Sequence, residues 1–221
     1  YGSHVINGAG NGGMASVNSK DLFTKIKVAR SWGRNSTIYD EKAEKIENRF
    51  NIKIGNEIYD RKFVFSEIGY NFEPSEISAA FGLVQLSKLK NNIKIRQENF
   101  QRQFEFFNSY PEFFINPKQA ENVNTAWLAY PILIRQDSPF SRKEFQVYLE
   151  EQEIQTRVVF TGNILRQPMC KDIKKRTRGS GYNNSDEIMR RGVLLPLHHG
   201  MKDSMFTRLH ETIEKFIQSK H

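Results

Sequence analysis

Cysteine is nearly missing: Cys170 stands alone in 221 residues. One thiol cannot close an internal disulfide, nor supply a zinc or iron–sulfur site that takes several cysteines from one chain. Long apolar runs are missing too. None approaches the roughly 18 residues that a membrane-spanning helix needs, and no basic start, apolar core and small-residue cleavage site marks a secretory leader. These absences argue against a disulfide scaffold and a membrane protein, and lead us to expect a cytoplasmic one. There is no initiator methionine, and the chain opens inside a motif, so part of a longer protein is expected.

What is present is a globular composition, 38% hydrophobic and 26% charged, with a net charge of +8. A basic balance suits either a nucleic acid or an anionic small molecule. The densest basic run, Lys171 to Arg178, has five cations in eight residues and no interleaved aromatics. That argues against a stacking platform for single strands. A phosphorylated small molecule is the preferred partner, and no nucleic acid is expected.

The first fourteen residues hold five glycines, ending Gly12-Gly13-Met14, with His4 ahead of the turn. Glycine allows the positive φ and close backbone approach of such a segment. Ala15–Asn18 reads as a short strand. The plain alternative is a surface hairpin with an incidental histidine.

Ser19 then reads as the N-cap of a helix ending near Gly33. Residues 34–66 look polar and irregular, a long loop of the kind that serves function or embraces a partner, with a short strand at Phe63-Val64-Phe65. Gly69-Tyr70-Asn71 precedes a helix opened by Pro74. A second, longer helix is expected from Leu86 to about Tyr110, buried along Leu89, Ile93, Phe100, Phe104 and Phe107. Strands are expected at Ala126–Ile134, Ile154–Phe160 and Gly192–Leu197. Helices are expected from Ser141 to about Gln152, from Ser185 to Arg191 and from Ser204 to Ser219. The alternation predicts an α/β fold. His198 and His199 are adjacent rather than four apart, so no metal is expected.

This order of motifs resembles the sugar aminotransferase and dehydratase family of fold type I pyridoxal-phosphate enzymes. The residues that carry the likeness are the Gly-rich turn, Arg30-Ser31-Trp32-Gly33, Gly69-Tyr70-Asn71 with the helix Glu76–Leu86, and Leu195-Pro196-Leu197-His198. The resemblance covers nearly the whole chain. It implies the C-terminal part of such an enzyme: residues 1–95 ending the large cofactor-binding domain, residues 96–221 forming a small α/β domain.

In most of that family a lysine stands at the place of His4 and holds the cofactor as a Schiff base. Here the first lysine is Lys20. A subgroup with histidine there, the 3-dehydratases of 3,6-dideoxyhexose synthesis, resembles this chain at Ser3-His4-Val5-Ile6 and at Thr161–Pro168. Some of that subgroup carry an iron–sulfur cluster, which one cysteine does not provide. The implied activity is 3-dehydration of a nucleotide-linked 4-keto-6-deoxyhexose with pyridoxal or pyridoxamine phosphate. His4 would act as acid and base, since imidazole titrates near neutrality. Ser3 and Asn71 would contact the cofactor, Asn71 at its phosphate across the interface of a homodimer. Arg157, Asn163 and Arg166 would contact substrate or phosphate. Phe72 and Glu73 depart from the commoner Asn-Tyr-Arg pattern. Alternatives are a nucleotide-sugar aminotransferase and a non-catalytic module on the same fold.

Overall fold

The computed structural model describes residues 7–10, 12–39, 45–179 and 181–220. His4 and Ser3 lie outside them. The chain divides into two compact units, Tyr1–Gln85 and Leu86–His221. This division and the expected one at 95 both fall within one helix, Glu76–Asn108.

In the first unit, helix α1 (Lys20–Arg30) starts as its sequence dictates. The Ser19 side chain accepts from the Leu22 N–H at 3.2 Å, with Asp21 in the first turn and Lys27 and Arg30 in the last. Charges so placed favour the helix dipole. The helix closes with the N–H groups of Ser31 and Gly33 on the Val28 carbonyl, Gly33 at φ +81°. Residues 12–17 are in neither helix nor strand, against the expected strand at Ala15–Asn18. The expected loop over 34–66 carries more structure than its polarity suggested. It holds a helical turn α2 (Ile46–Arg49) and an antiparallel hairpin of β1 (Ile52–Ile54) and β2 (Glu57–Tyr59). The Arg49 guanidinium grips Asp60 through both carboxylate oxygens, just past the hairpin. Phe63–Phe65 makes a single bridge, Arg34 to Phe65, rather than a strand.

Helix α3 (Glu76–Asn108) is continuous, where two helices were expected. Of the expected buried stripe, Phe107 is buried and Phe100 and Phe104 pack half-buried against the core, but most of the fully buried positions are others. Asn92, Arg96, Asn99, Gln103 and Phe107 are buried, at steps of four and three. Four of these are polar, and three of them reach backbone carbonyls. Arg96 Nη1 donates to Trp127, Leu128 and Leu197, Asn99 to His198 and Gln103 to Pro196. Buried carbonyls need donors, and here a helix supplies them to chain leaving and entering a sheet.

That sheet has the order β3 (Phe114–Ile115), β4 (Tyr130–Ile134), β6 (Gly192–Leu195), β5 (Arg157–Val158), all antiparallel. Along β4, Tyr130, Ile132 and Ile134 are buried, the period of two that places them on one face. Helix α4 (Arg142–Glu151) opens with a reciprocal Ser141–Glu144 capping box, as its sequence predicts. Helix α5 (Asn183–Arg191) runs straight into β6, and helix α6 (Asp203–Gln218) buries Phe206, Leu209, Ile213, Phe216 and Ile217. The core between helices and sheet is aromatic. Phe140 meets Phe216 edge-on at 4.8 Å, and Phe100 stacks on Trp127 at 4.1 Å. The expected strand Ile154–Phe160 shrinks to two residues, because Phe160 turns left-handed at φ +47°. No described helix is long and apolar enough to cross a membrane.

Candidate active site

In the first unit the structure joins two of the quoted motifs. Arg30-Ser31-Trp32-Gly33 and Gly69-Tyr70-Asn71-Phe72 lie backbone to backbone. Tyr70 and Phe72 N–H donate to the Ala29 and Arg30 carbonyls at 2.7 and 2.8 Å, and Trp32 N–H returns to Tyr70 at 2.9 Å. Only glycine permits this approach. A Cβ on Gly69 would stand 2.1 Å from Gly33 N, and one on Gly33 1.7 Å from the Glu67 carbonyl oxygen. The bridge Ser31 to Asn71 then fixes the backbone of Asn71.

Asn71 lines a hollow of about 920 Å³ with Gly12, Gly13, Lys27, Arg30 and Ser75. Arg30 Nη2 stands 3.6 Å from Glu73, while its Nε is buried with no partner. Ser75 and Ser78 lie at the start of α3, where free N–H groups and the helix dipole favour an anion. An amide, two cations and a helix start form a donor set suited to a phosphate.

In the second unit, Asn163 and Arg166 meet on one carboxylate. Asn163 Nδ2 donates to Asp186 Oδ1 at 2.7 Å, and Arg166 donates through Nε and Nη2 at 3.1 and 2.9 Å. Arg166, then Asn163, holds the Asp186 carboxyl down at about 2. Asn163 is buried, and its Oδ1 also caps the turn Ile164–Arg166 by accepting from Leu165 N–H. Arg157 is exposed on edge strand β5. It lines a separate hollow of about 750 Å³ with Arg142, Lys143 and Thr156, which neither Asn163 nor Arg166 lines.

Sequence reasoning did not find Asp186, the residue that brings Asn163 and Arg166 together. Its only signal was an acid in a short polar helix, twenty residues from Arg166. It also passed over the support of His198 and His199. Their loop is held by Gln103, Arg96 and Asn99 on three consecutive carbonyls, those of Pro196, Leu197 and His198. Burial, then the nearby Arg96 cation, lowers the His198 imidazole below its usual range, and His199 is lowered as well. Among the described residues no group of three or more His, Cys, Asp or Glu side chains could hold a metal ion.

The fold is that of fold type I pyridoxal-phosphate-dependent transferases. The chain belongs to the DegT/DnrJ/EryC1/StrS aminotransferase family, whose profile matches residues 1–214. It is 29% identical over 218 residues to lipopolysaccharide biosynthesis protein RfbH of Salmonella typhimurium, covering 98% of this chain and 49% of that protein. It is 30% identical over 219 residues to the dTDP-4-dehydro-2,6-dideoxy-D-glucose 3-dehydratase of Saccharopolyspora spinosa, covering 98% and 47%. The chain thus spans about half the length of the curated relatives it matches. Among solved structures, it resembles the E. coli GDP-4-keto-6-deoxy-D-mannose-3-dehydratase with bound hydrated PLP, with TM-score 0.71 and 22% identity over 89% of this chain and 48% of that one. An aminotransferase from Psychrobacter cryohalolentis gives TM-score 0.75 at 13% identity, over 98% and 54%.

Proposed function

We propose that the chain belongs to a pyridoxamine- or pyridoxal-phosphate-dependent 3-dehydratase of a nucleotide-linked 4-keto-6-deoxyhexose, in deoxysugar synthesis for surface polysaccharide. One observation carries the choice. The position ahead of the Gly-rich turn is His4, not a lysine. The relatives named as 3-dehydratases, at 27–30% identity, support it. The transaminase relatives, at 24 and 26%, support nucleotide-sugar amino transfer as a second reading.

The hollow around Asn71 suits the cofactor's phosphate. Asn71, with Lys27, Arg30 and the start of α3, would hold it. In a homodimer sharing its sites that phosphate would belong to the partner's cofactor, while Ser3 and His4 would serve the cofactor of their own chain. When bound, the cofactor would supply an electron sink. His4 would take the C4′ proton and give one to the departing 3-hydroxyl, two transfers for which imidazole is a suitable residue type. Arg157 supplies a forked donor suited to phosphate oxygens, whereas the fork of Arg166 is on Asp186. Asn163 holds the loop that carries Arg166.

Borohydride treatment of the cofactor-loaded full-length protein, followed by intact mass, tests the reading. The expected result is bound cofactor with no covalent adduct. A stable adduct of one cofactor per chain would reveal a Schiff-base lysine and put amino transfer first. His4→Asn should keep pyridoxamine phosphate bound and lose dehydration, and full activity in that variant would overturn the role of His4.

A further inference from the structure

The loop after β5 has an odd shape for its sequence. Gly162 N–H donates to the Val159 carbonyl at 2.9 Å and closes a four-residue turn. Phe160 takes the second position of that turn at φ +47°. A left-handed residue there is ordinarily glycine, asparagine or aspartate. A bulky aromatic at positive φ is a true outlier, and such strain persists only where its surroundings over-determine it.

The surroundings here do so. Gly162, at φ +60°, is seated against Met189, where a Cβ would come 2.4 Å from the Met189 Cβ. Gln167 Nε2 donates to the Thr161 carbonyl at 3.0 Å. Asn163 and Arg166 both fasten on Asp186 of α5. All this scaffolding holds a side chain that the fold itself does not use. Phe160 is 70% exposed and belongs to no ring contact among the described residues. Three residues before it, Arg157 is exposed on the same short strand and turn.

We propose that Phe160 is the nucleobase-stacking residue of this protein, presented on a rigid turn that Asn163, Arg166 and Gly162 hold in place. The inference rests on the nucleotide-sugar reading above and assigns a residue to its base. A phenyl face stacks on any base, and the fork of Arg157, exposed three residues earlier, suits phosphate oxygens. Asn163 and Arg166 then become positioning residues, and Phe160 makes the contact.

The test is titration calorimetry on the full-length protein with GDP, dTDP and inorganic pyrophosphate, alongside thermal melts. Phe160→Ala and Phe160→Gly should weaken both nucleotides about tenfold or more, the range for loss of one stacked base. Pyrophosphate binding should stay within about twofold, and Phe160→Tyr should bind the nucleotides like the parent. Phe160→Gly should melt no lower than the parent, because glycine accepts the left-handed backbone without strain. Equal nucleotide affinity in parent and Phe160→Ala would overturn the assignment and leave the nucleotide-sugar reading standing. So would a melting loss of several degrees in both variants, which would make Phe160 a packing residue. A parent protein that binds neither nucleotide would overturn both readings.

Discussion

The two units of the chain treat apolar side chains in opposite ways. In Leu86–His221, Phe107, Phe145, Leu149, Val193 and Ile213 are completely buried, at the centre of one aromatic-rich core. In Tyr1–Gln85, Val28 is the one buried apolar residue among those described, while Phe23, Ile68, Tyr70, Phe72 and Ile77 are exposed. The first unit keeps its shape by other means: backbone pairing around Gly33 and Gly69, caps, and the Arg49–Asp60 grip. Burial is the dominant favourable term in folding, so the stability of this chain resides in the second unit. The residues that carry the functional proposal, His4 and Asn71, belong to the first.

The largest effect should come from the second unit's core. Phe145→Ala removes a completely buried ring that contacts Phe114, Phe140 and Phe216. The expected loss is about 3–5 kcal/mol in urea unfolding of the chain. A loss under about 1 kcal/mol would mean that the aromatic core is not where the stability lies.

Arg96→Met comes next and probes the polar side of the same unit. It withdraws the donor from three carbonyls, at a cost of about 3 kcal/mol. It also removes a cation that, after burial, is the second cause of the lowered His198 titration. In an NMR titration the His198 pKa should rise toward 6.5 without passing it, and an unchanged value would show that Arg96 does not act on that loop.

His210 offers a pH test on the second unit alone. Its Nε2 stands 2.9 Å from Gln103 Oε1, its ring stacks on Phe106, and burial, then Arg102, lowers it to about 4. The unfolded chain, with histidine near 6.5, therefore binds the extra proton first. Stability from this group is present above pH 6.5 and is lost as pH falls toward 4. His210→Gln should flatten the stability profile in that window, and an unchanged slope would assign it to other groups.

These tests fall on features that differ in how plainly the sequence shows them. Helix α4 was legible because a capping box and an apolar period are local signals. The Gly69-Tyr70-Asn71 block was legible through its likeness to a family. The face of α3 was not. The apolar stripe Leu89, Ile93 and Phe100 is only half-buried, while Arg96 and Gln103 are completely buried. Periodicity assumes that a buried face is apolar, and here the buried surface facing it is made of carbonyls 31 to 101 residues away. The short β5 escaped for a related reason. Ile154–Phe160 has strand-forming residues throughout, but left-handed turns at Glu153 and Phe160 bound it at both ends, and neither residue advertises that conformation.

The smallest effect sharpens the comparison most. Ile68 is 97% exposed, and Ile68→Ser in the 221-residue chain should change stability by no more than about 0.5 kcal/mol. The same substitution in a protein extended to its relatives' length should cost about 1–2 kcal/mol, the transfer of most of an aliphatic side chain from cover to water. The chain spans about half of those relatives, so the extension supplies protein that could cover the first unit. A rise in cost on extension would show that the first unit's exposed side chains are covered there, which would add apolar burial to a unit with one buried apolar residue among those described. Equal small costs in both would leave Ile68 in solvent, and the Asn71 segment would be held by the Gly33–Gly69 backbone pairing and the Ser31 bridge.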